Sequence, residues 1–176
     1  MNYIVKFLLI SLTIVTTSKA EEILPFERLG RNNVTLDAKT IAGDSSTRND
    51  YKTDYGSYDK TKHQAKSVEI KTRCLSSNKE DLSIRFYFVF RDAQTKKELF
   101  VPSDAVTFNE GIGTAVFRET SMSTDMNLVT IGIREKTGKT IVGWLARAIR
   151  GNRIVGIAGS TERFKKMAGE LTEFEK

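Results

Sequence analysis

The chain has 176 residues, a formal net charge of +6 at pH 7 and a single cysteine, Cys74. One cysteine excludes an internal disulfide, so the fold has to be held together by its apolar core. No segment after residue 20 is long and apolar enough to cross a membrane as a helix, for which about 20 consecutive apolar residues are needed.

The first twenty residues, MNYIVKFLLISLTIVTTSKA, have the three parts of a secretory signal peptide. Lys6 supplies the positive charge, a short apolar core follows, and Ser18-Lys19-Ala20 forms a small-x-small cleavage site. The apolar core has about ten residues, roughly half of what a spanning helix needs. The sequence therefore predicts a secreted or periplasmic protein that begins at Glu21 and has no transmembrane segment.

Residues 21–42 form an N-terminal segment that is predicted to contain one strand. In the stretch VTLDAKTIA every second side chain lies on one face, and the residues on that face are Leu36, Ala38, Thr40 and Ala42. Residues 43–65 are polar and charged and nearly lack aliphatic side chains. Their composition predicts a long polar loop or disordered linker between the first strand and the main body.

Residues 66–160 repeat the strand pattern and are predicted to form the β-sandwich body. The strongest alternation, LSIRFYFVFRD, puts five large apolar side chains on one face: Leu82, Ile84, Phe86, Phe88 and Phe90. The stretch SVEIKTRCL does the same for Val68, Ile70, Thr72 and Cys74. Cys74 is therefore expected to be a buried thiol, with an intermolecular disulfide as the alternative. Pro102 ends a short strand, ELFV, which is expected at a sheet edge.

Two hairpins are predicted near the end of this body. The sequence EKTGK is predicted to be the turn before TIVGWLARAIR, with Lys136 and Lys139 at its tip. Gly151-Asn152 is predicted to be a second tight turn, which pairs Arg150 with Arg153, Ala148 with Val155, Ala146 with Ile157 and Trp144 with Gly159. This register makes one apolar face from Val142, Trp144, Ala146, Ala148, Val155 and Ile157.

The chain is predicted to end in an amphipathic helix over residues 161–176. Ser160 or Thr161 is suited to cap it, and one apolar stripe contains Phe164, Met167, Ala168, Leu171 and Phe174. Short strands with hairpin connections and one terminal helix favour a mainly β fold, an antiparallel two-layer sandwich of about seven strands. The likeness to immunoglobulin and fibronectin type III domains is architectural only, because the cysteine–tryptophan–cysteine set is absent.

The sequence offers little for catalysis or metal binding. His63 is the only histidine and lies in the polar segment, so a nucleophile with a neighbouring imidazole base is not expected. One histidine and one cysteine cannot furnish a zinc site. The spacing of the acidic cluster matches no compact calcium loop; its members are Asp44, Asp50, Asp54 and Asp59. The prediction is a non-enzymatic binding module without a cofactor or metal.

Positive charge is concentrated between Arg134 and Lys166, where nine basic and two acidic residues give a segment charge of +7. Arg150 and Arg153 face each other across the predicted turn, and like charges in that position repel. A bound anion would relieve the repulsion, and two side chains that splay into water are the alternative. With Lys136 and Lys139, these arginines are the candidate ligand-binding residues. The predicted partner is an anionic envelope polymer or an acidic protein, and no specific nucleic acid is expected.

Two other functions are compatible with the sequence. Tyr51, Tyr55 and Tyr58 alternate with charges in the polar segment, which suits carbohydrate contacts or, alternatively, attachment of the loop to the body. A free sheet edge accepts a strand from a neighbouring molecule, which predicts a structural or assembly subunit of an extracytoplasmic complex.

Overall fold

The computed structural model describes residues 34–52, 56–74, 81–128 and 132–170. These ranges form eight strands and one α-helix: β1 (Val34–Lys52), β2 (Ser57–Cys74), β3 (Leu82–Asp92), β4 (Glu98–Pro102), β5 (Val106–Phe108), β6 (Gly113–Leu128), β7 (Ile133–Arg150), β8 (Arg153–Gly159) and α1 (Glu162–Gly169). The mainly β prediction is confirmed, and no helix in the described ranges is long and apolar enough to span a membrane. The predicted signal peptide lies outside the described residues.

The strands form one antiparallel sheet in the order β1-β2-β6-β7-β3-β4, with β5 paired to β3 and β8 paired to β7. The sheet is open, because its end strands β1 and β4 each pair with one strand of the described chain. The edge position predicted for the strand that Pro102 ends is confirmed. The architecture that the structure establishes is this open antiparallel sheet with one short helix.

The strand β7 belongs to two groups of strands. Residues 133–138 pair with β6, whereas residues 139–150 pair with β3 and β8. At the transition Gly138 has a φ of 85°, and a Cβ there would lie 2.3 Å from the Met122 carbonyl oxygen. Glycine is therefore required at this corner, where β7 passes between the groups without a break. The prediction that EKTGK is a hairpin turn is wrong, because residues 135–139 lie inside β7.

The two groups of strands share the main apolar core. Phe86 of β3 stacks on Phe117 of β6 with the ring centroids 4.4 Å apart, and the Trp144 ring of β7 lies 5.7 Å from the Phe86 ring. The apolar face predicted for β3 is confirmed, since all five of its side chains are buried in this core. The face predicted for β2 is confirmed as well: Val68, Ile70 and Thr72 are buried, and Cys74 is half-buried.

The opposite face of β3 is also buried, in a smaller cluster that it shares with β7 and with α1, which packs on β8 and β7. This smaller cluster consists of Tyr87, Val89, Leu145, Phe164 and Ala168. Thr161 caps the helix as predicted, with its Oγ1 accepting a hydrogen bond from the Phe164 N–H at 3.3 Å. The helix is confirmed over Glu162–Gly169, and the predicted continuation after residue 170 lies outside the described residues.

The Gly151-Asn152 turn is confirmed, and Gly151 has the positive φ, 55°, that a tight primed turn needs. Arg150 pairs with Arg153, as predicted. Before Ile149 a bulge shifts the register by one residue, so the remaining predicted pairs are wrong: Arg147 pairs with Ile157, and Ala146 with Ala158. The predicted apolar face is split as a result. Ile157 joins the cluster under α1, and so does Val142, which lies at a second bulge, between the pairs Val89–Gly143 and Phe90–Ile141.

Residues 43–52 and 57–65 form strands, so the polar loop or disordered linker predicted for residues 43–65 is wrong over these two ranges. β1 and β2 pair continuously as far as Lys52 and Ser57, and β2 pairs with β6 out to Leu128. We call residues 43–52, 57–66, 119–128 and 133–138 the polar extension. None of its described side chains belongs to the main core, and hydrogen bonds such as Thr61 to Thr124, at 3.2 Å, connect its strands. Pairing with neighbouring strands replaces burial as the source of order here.

Candidate anion-binding cleft

The structure places Arg150 inside the protein. Only 7% of its surface is exposed, and its Nη2 donates a hydrogen bond to the Cys74 Sγ at 3.3 Å. Gly111 makes room for this side chain, because a Cβ there would lie 3.0 Å from the Arg150 Nη2. The prediction of two exposed arginines at the turn is therefore wrong for Arg150, while Arg153 is exposed. Arg150 and Arg153 are still opposite each other in the register, but the first side chain is buried and the second is exposed.

Lys136 lies in the polar extension, where it lines an open cleft of about 280 Å³. Strands β2, β6 and β7 contribute to this cleft, and so do the end of β3 and the turn that follows it. Five cationic side chains line the cleft: Lys60, Lys62, Arg91, Lys96 and Lys136. Two carboxylates, Asp92 and Asp125, line it as well. We call this site the cationic cleft.

Strand register brings these side chains together. Lys60 pairs with Asp125 of β6, which in turn pairs with Lys136 of β7. Lys62 follows Lys60 on the same face of β2, about 7 Å further along the strand. The turn after β3 is attached to the corner of β7 by a hydrogen bond from the Ala93 N–H to the Gly138 carbonyl, at 2.9 Å. The corner in β7 thus positions the turn that carries Lys96.

Asp92 stabilises this turn by accepting hydrogen bonds from its residues. Its Oδ1 accepts hydrogen bonds from the Thr95 N–H at 2.7 Å, the Thr95 hydroxyl at 3.0 Å and the Gln94 N–H at 3.0 Å. These bonds, that from the Thr95 N–H above all, lower the pKa of Asp92, and the positive charge of Lys139 contributes. Lys139 was predicted at a hairpin tip; it lies instead at the β7 corner, close enough to Asp92 to add positive charge beside the cleft.

Asp125 is held by cations of the neighbouring strand. Its carboxylate accepts hydrogen bonds from Arg134 at 2.9 and 2.6 Å and lies 3.5 Å from the Lys136 Nζ. Hydrogen bonding to Arg134 is the main cause that lowers the pKa of Asp125 to about 2. Both carboxylates of the cleft are therefore ionised at neutral pH and already engaged. Lys60 and Lys62, in contrast, form no salt bridge with any carboxylate in the described ranges.

Replacement of Asp125 by asparagine is expected to destabilise the fold in a pH-dependent way. A carboxylate with a depressed folded-state pKa stabilises the fold above its unfolded value of 3.8, and this contribution is lost as the pH falls through about 2. At pH 7 Asp125→Asn should lower the free energy of unfolding by about 0.5 kcal/mol, since the partner Arg134 is solvated. Urea denaturation at pH 7 and at pH 2 tests this; an equal deficit at both values would contradict it.

Two of the candidate tyrosines, Tyr51 and Tyr58, lie at the outer end of the polar extension, where they pair across β1 and β2. Tyr51 is 74% exposed, and its ring lies 4.9 Å from the Tyr58 ring across the β1–β2 pair. The Tyr58 hydroxyl donates a hydrogen bond to the Asn49 Oδ1 at 2.9 Å. Tyr55 lies outside the described residues. The two described tyrosines thus contact β1 and each other, and neither belongs to the main core.

Of the acidic cluster considered for calcium, Asp50 and Asp59 are opposite each other on β1 and β2, and Asp54 lies outside the described residues. In the ranges that the structure describes, no group of three or more histidine, cysteine, aspartate or glutamate side chains is placed to hold a metal ion. His63 is exposed in β2, between Ser46 of β1 and Met122 of β6.

Comparison with known proteins adds no family to this description. No protein-family model matches the chain, and no curated protein matches it at a significant level.

Proposed function

We propose that this protein is an exported, non-catalytic module that binds an anionic polymer through the cationic cleft. The observation that carries the proposal is the convergence of five cations from three strands and a turn, at a site whose two carboxylates are already engaged. Location outside the cytoplasm is proposed from the signal-like N-terminal sequence.

The shape of the cleft favours a polymer over a small anion. Its volume of about 280 Å³ lies just below the range of about 300–1,000 Å³ that is usual for small-molecule pockets. Its lysines are exposed or half-buried, so each charge contact is weak and screened by salt. Several such contacts become strong only when the anionic groups are linked in one chain, because the later contacts are then intramolecular.

The core end of the sheet provides a rigid base for the cleft. The stacking of Phe86 on Phe117 joins the β3 and β6 sides of the core and supports a two-layer, sandwich-like arrangement at this end. The polar extension projects from that base with both faces in reach of solvent. An extended polymer can then lie across the cationic cleft without entering a pocket.

Replacing Lys60 and Lys62 together by glutamate is expected to weaken polymer binding about tenfold or more at physiological salt. Each contact between a cation and a phosphate contributes a slope of about 0.7–0.9 to the dependence of log affinity on log salt. Loss of two contacts should therefore reduce the slope by about 1.5. The measurement is the dissociation constant for inorganic polyphosphate over a salt series, by fluorescence anisotropy.

A double variant with the same charge change elsewhere is the matched control. Arg153→Glu with Lys39→Glu alters two exposed cations that do not line the cationic cleft, so affinity should stay close to that of the parent. Asp125→Asn removes negative charge from the cleft and should strengthen binding. Equal losses in the two double variants would mean that net charge alone attracts the polymer, and the proposed site would be rejected.

A further inference from the structure

The two edges of the sheet are protected to different degrees. β4 has five residues, Glu98–Pro102, and ends in a proline, which cannot donate a hydrogen bond to a neighbouring strand. β1 has 19 residues, Val34–Lys52, and contains no proline. Natural proteins usually shorten or interrupt an edge strand, which prevents it from pairing with other molecules. The long edge of β1 is therefore the better template for an added strand.

The second half of β1 is the open part of this edge. The first half borders β8, where a Cβ on Gly156 would lie 2.4 Å from the Val34 carbonyl oxygen. A bulge then interrupts β1 before Ala42. From there to its last residue β1 pairs continuously with β2, and within the described part of the chain it pairs with no other strand. The side chains of residues 41–49 are exposed, so a strand added along this half would not displace β8.

We propose that a second copy of this chain supplies the added strand, so that two β1 strands pair antiparallel around a two-fold axis. The axis is perpendicular to the sheet, because the joined sheet has to continue in its own plane. Such an axis keeps each side chain on its own face of the sheet. Two residues of β1 can then be opposite each other only when they lie on the same face, an even number of positions apart. Symmetry thus leaves few registers to compare.

The charges of β1 favour the register that is centred on Ser46. In this register Asp44 of each copy is opposite Arg48 of the other, which gives two symmetric pairs of opposite charge. Asp44 forms no salt bridge with any residue that the structure describes. Arg48 contacts Asp50 of its own strand at 2.9 Å, but 77% of its side chain is exposed. A second carboxylate can therefore approach its guanidinium group.

The neighbouring registers match less well. When the centre moves one residue toward the end of β1, Asp44 comes opposite Asp50, and when it moves two residues, Arg48 comes opposite itself. Both shifts bring like charges together, which destabilises paired strands. A shift of three residues pairs Arg48 with Asp50 but aligns only residues 46–52, whereas the proposed register aligns residues 42–50 without interruption. A shift of one residue toward the start of β1 pairs no opposite charges.

The same register also covers two exposed large side chains. Ile41 is 51% exposed, and Tyr51 is 74% exposed. They lie five positions before and five positions after Ser46, so each tyrosine comes opposite the isoleucine of the other copy. Aromatic and β-branched side chains stabilise each other across paired strands. The proposed register therefore combines apolar contact at its two ends with charge pairing nearer the axis.

Cysteine cross-linking tests the register. Ser46→Cys places two cysteines opposite each other with their Cα atoms about 4.5–5.5 Å apart, within the range of about 4.4–6.8 Å that suits a disulfide. Asn49→Cys is the matched control, because its two cysteines would be about 20 Å apart in the proposed register and opposite each other in the register centred three residues further on. Both variants also carry Cys74→Ser, which removes the natural thiol. Mild oxidation should link the Ser46→Cys chains at least about tenfold faster than the Asn49→Cys chains.

Solution mass tests the association itself. In sedimentation equilibrium the protein should change from one chain to two as its concentration rises. Asp44→Arg puts arginines opposite each other at two symmetric positions and should weaken association about tenfold or more. Adding Arg48→Asp to this variant restores the opposite charges and should recover most of the affinity. The control Asp104→Arg makes the same charge change at an exposed residue between β4 and β5 and should leave association unchanged.

A mass of one chain at every concentration up to the millimolar range would overturn the proposal. Equal weakening by Asp44→Arg and Asp104→Arg would overturn it too, since net charge would then control association. Cross-linking of Asn49→Cys as fast as Ser46→Cys would reject the register, and a dimer that Asp44→Arg leaves unchanged would have to form through another surface. These outcomes are independent of polymer binding, because neither Asp44 nor Ser46 lines the cationic cleft.

Discussion

Replacement of Phe86 by alanine is expected to lower the free energy of unfolding by about 3–5 kcal/mol, the usual cost of deleting a buried aromatic ring. Phe86 has no exposed surface, and its ring contacts Phe117, Trp144 and Phe88 at centroid distances of 4.4, 5.7 and 4.8 Å. The ring joins strands on the two sides of the core. Its removal leaves a cavity that neighbours from both groups of strands would have to fill.

Urea denaturation followed by the fluorescence of Trp144 measures this loss, because the chain has one tryptophan and its ring stacks on Phe86. Val116→Ala is the control, since Val116 lies on the outer face of β6 with 44% of its surface exposed. We expect the control to lie within about 0.5 kcal/mol of the parent. A comparable loss in both variants would show that the Phe86 stack does not join the two sides of the core.

Replacement of Arg147 by alanine is expected to cost about 3 kcal/mol or more and to release α1 from the sheet. Arg147 has no exposed surface. Its Nε donates to the Ala168 carbonyl at 2.8 Å, and its Nη2 donates to the Met167 and Glu170 carbonyls at 3.3 and 2.5 Å. Carbonyl groups in the last turn of a helix lack helical donors, and each buried one left unsatisfied costs about 1–3 kcal/mol. The cation also favours this end of the helix dipole.

Limited trypsin digestion reports on the helix directly, because Arg163, Lys165 and Lys166 are exposed cleavage sites within α1. Cleavage there should become much faster in Arg147→Ala, while urea denaturation gives the change in stability. Arg147→Lys keeps the charge but places all its donors on one nitrogen, which cannot take the positions of both the Nε and the Nη2, so it should rescue only part of the loss. Full rescue by lysine would mean that charge, and not the hydrogen bonds, holds the helix.

The elements that the sequence predicted correctly are those with one buried face or a required backbone angle. The alternation in β3 identified its core face because every second side chain from Leu82 to Phe90 is buried. Gly151 marked a turn, and Thr161 marked the start of α1. In these places one local rule and the tertiary structure agree.

The predictions failed where order depends on partners that are distant in the sequence. Residues 43–65 have no apolar period because both faces of the polar extension meet solvent, and strand pairing with β6 is invisible in the local sequence. Gly138 was predicted to lie in a turn because glycine is common in turns, but it lies at a corner inside β7. Lys60 and Lys62 were not candidates for the site, because only strand register brings them beside Lys136. Arg150 was expected in water, whereas the face of β7 that it shares with Trp144 turns it inward.

The pairing of β7 with β3 also determines when the folding chain stops being prone to aggregate. The stretch Phe86–Phe90 is apolar on both faces, and such a segment pairs readily with copies of itself while its edge is open. Its permanent neighbour, residues 139–150, comes much later in the chain, and contacts this distant form slowly. Until β7 docks, β3 has one edge and much of its apolar surface uncovered. The arrival of β7 covers that edge and ends the period in which the chain is most prone to aggregate.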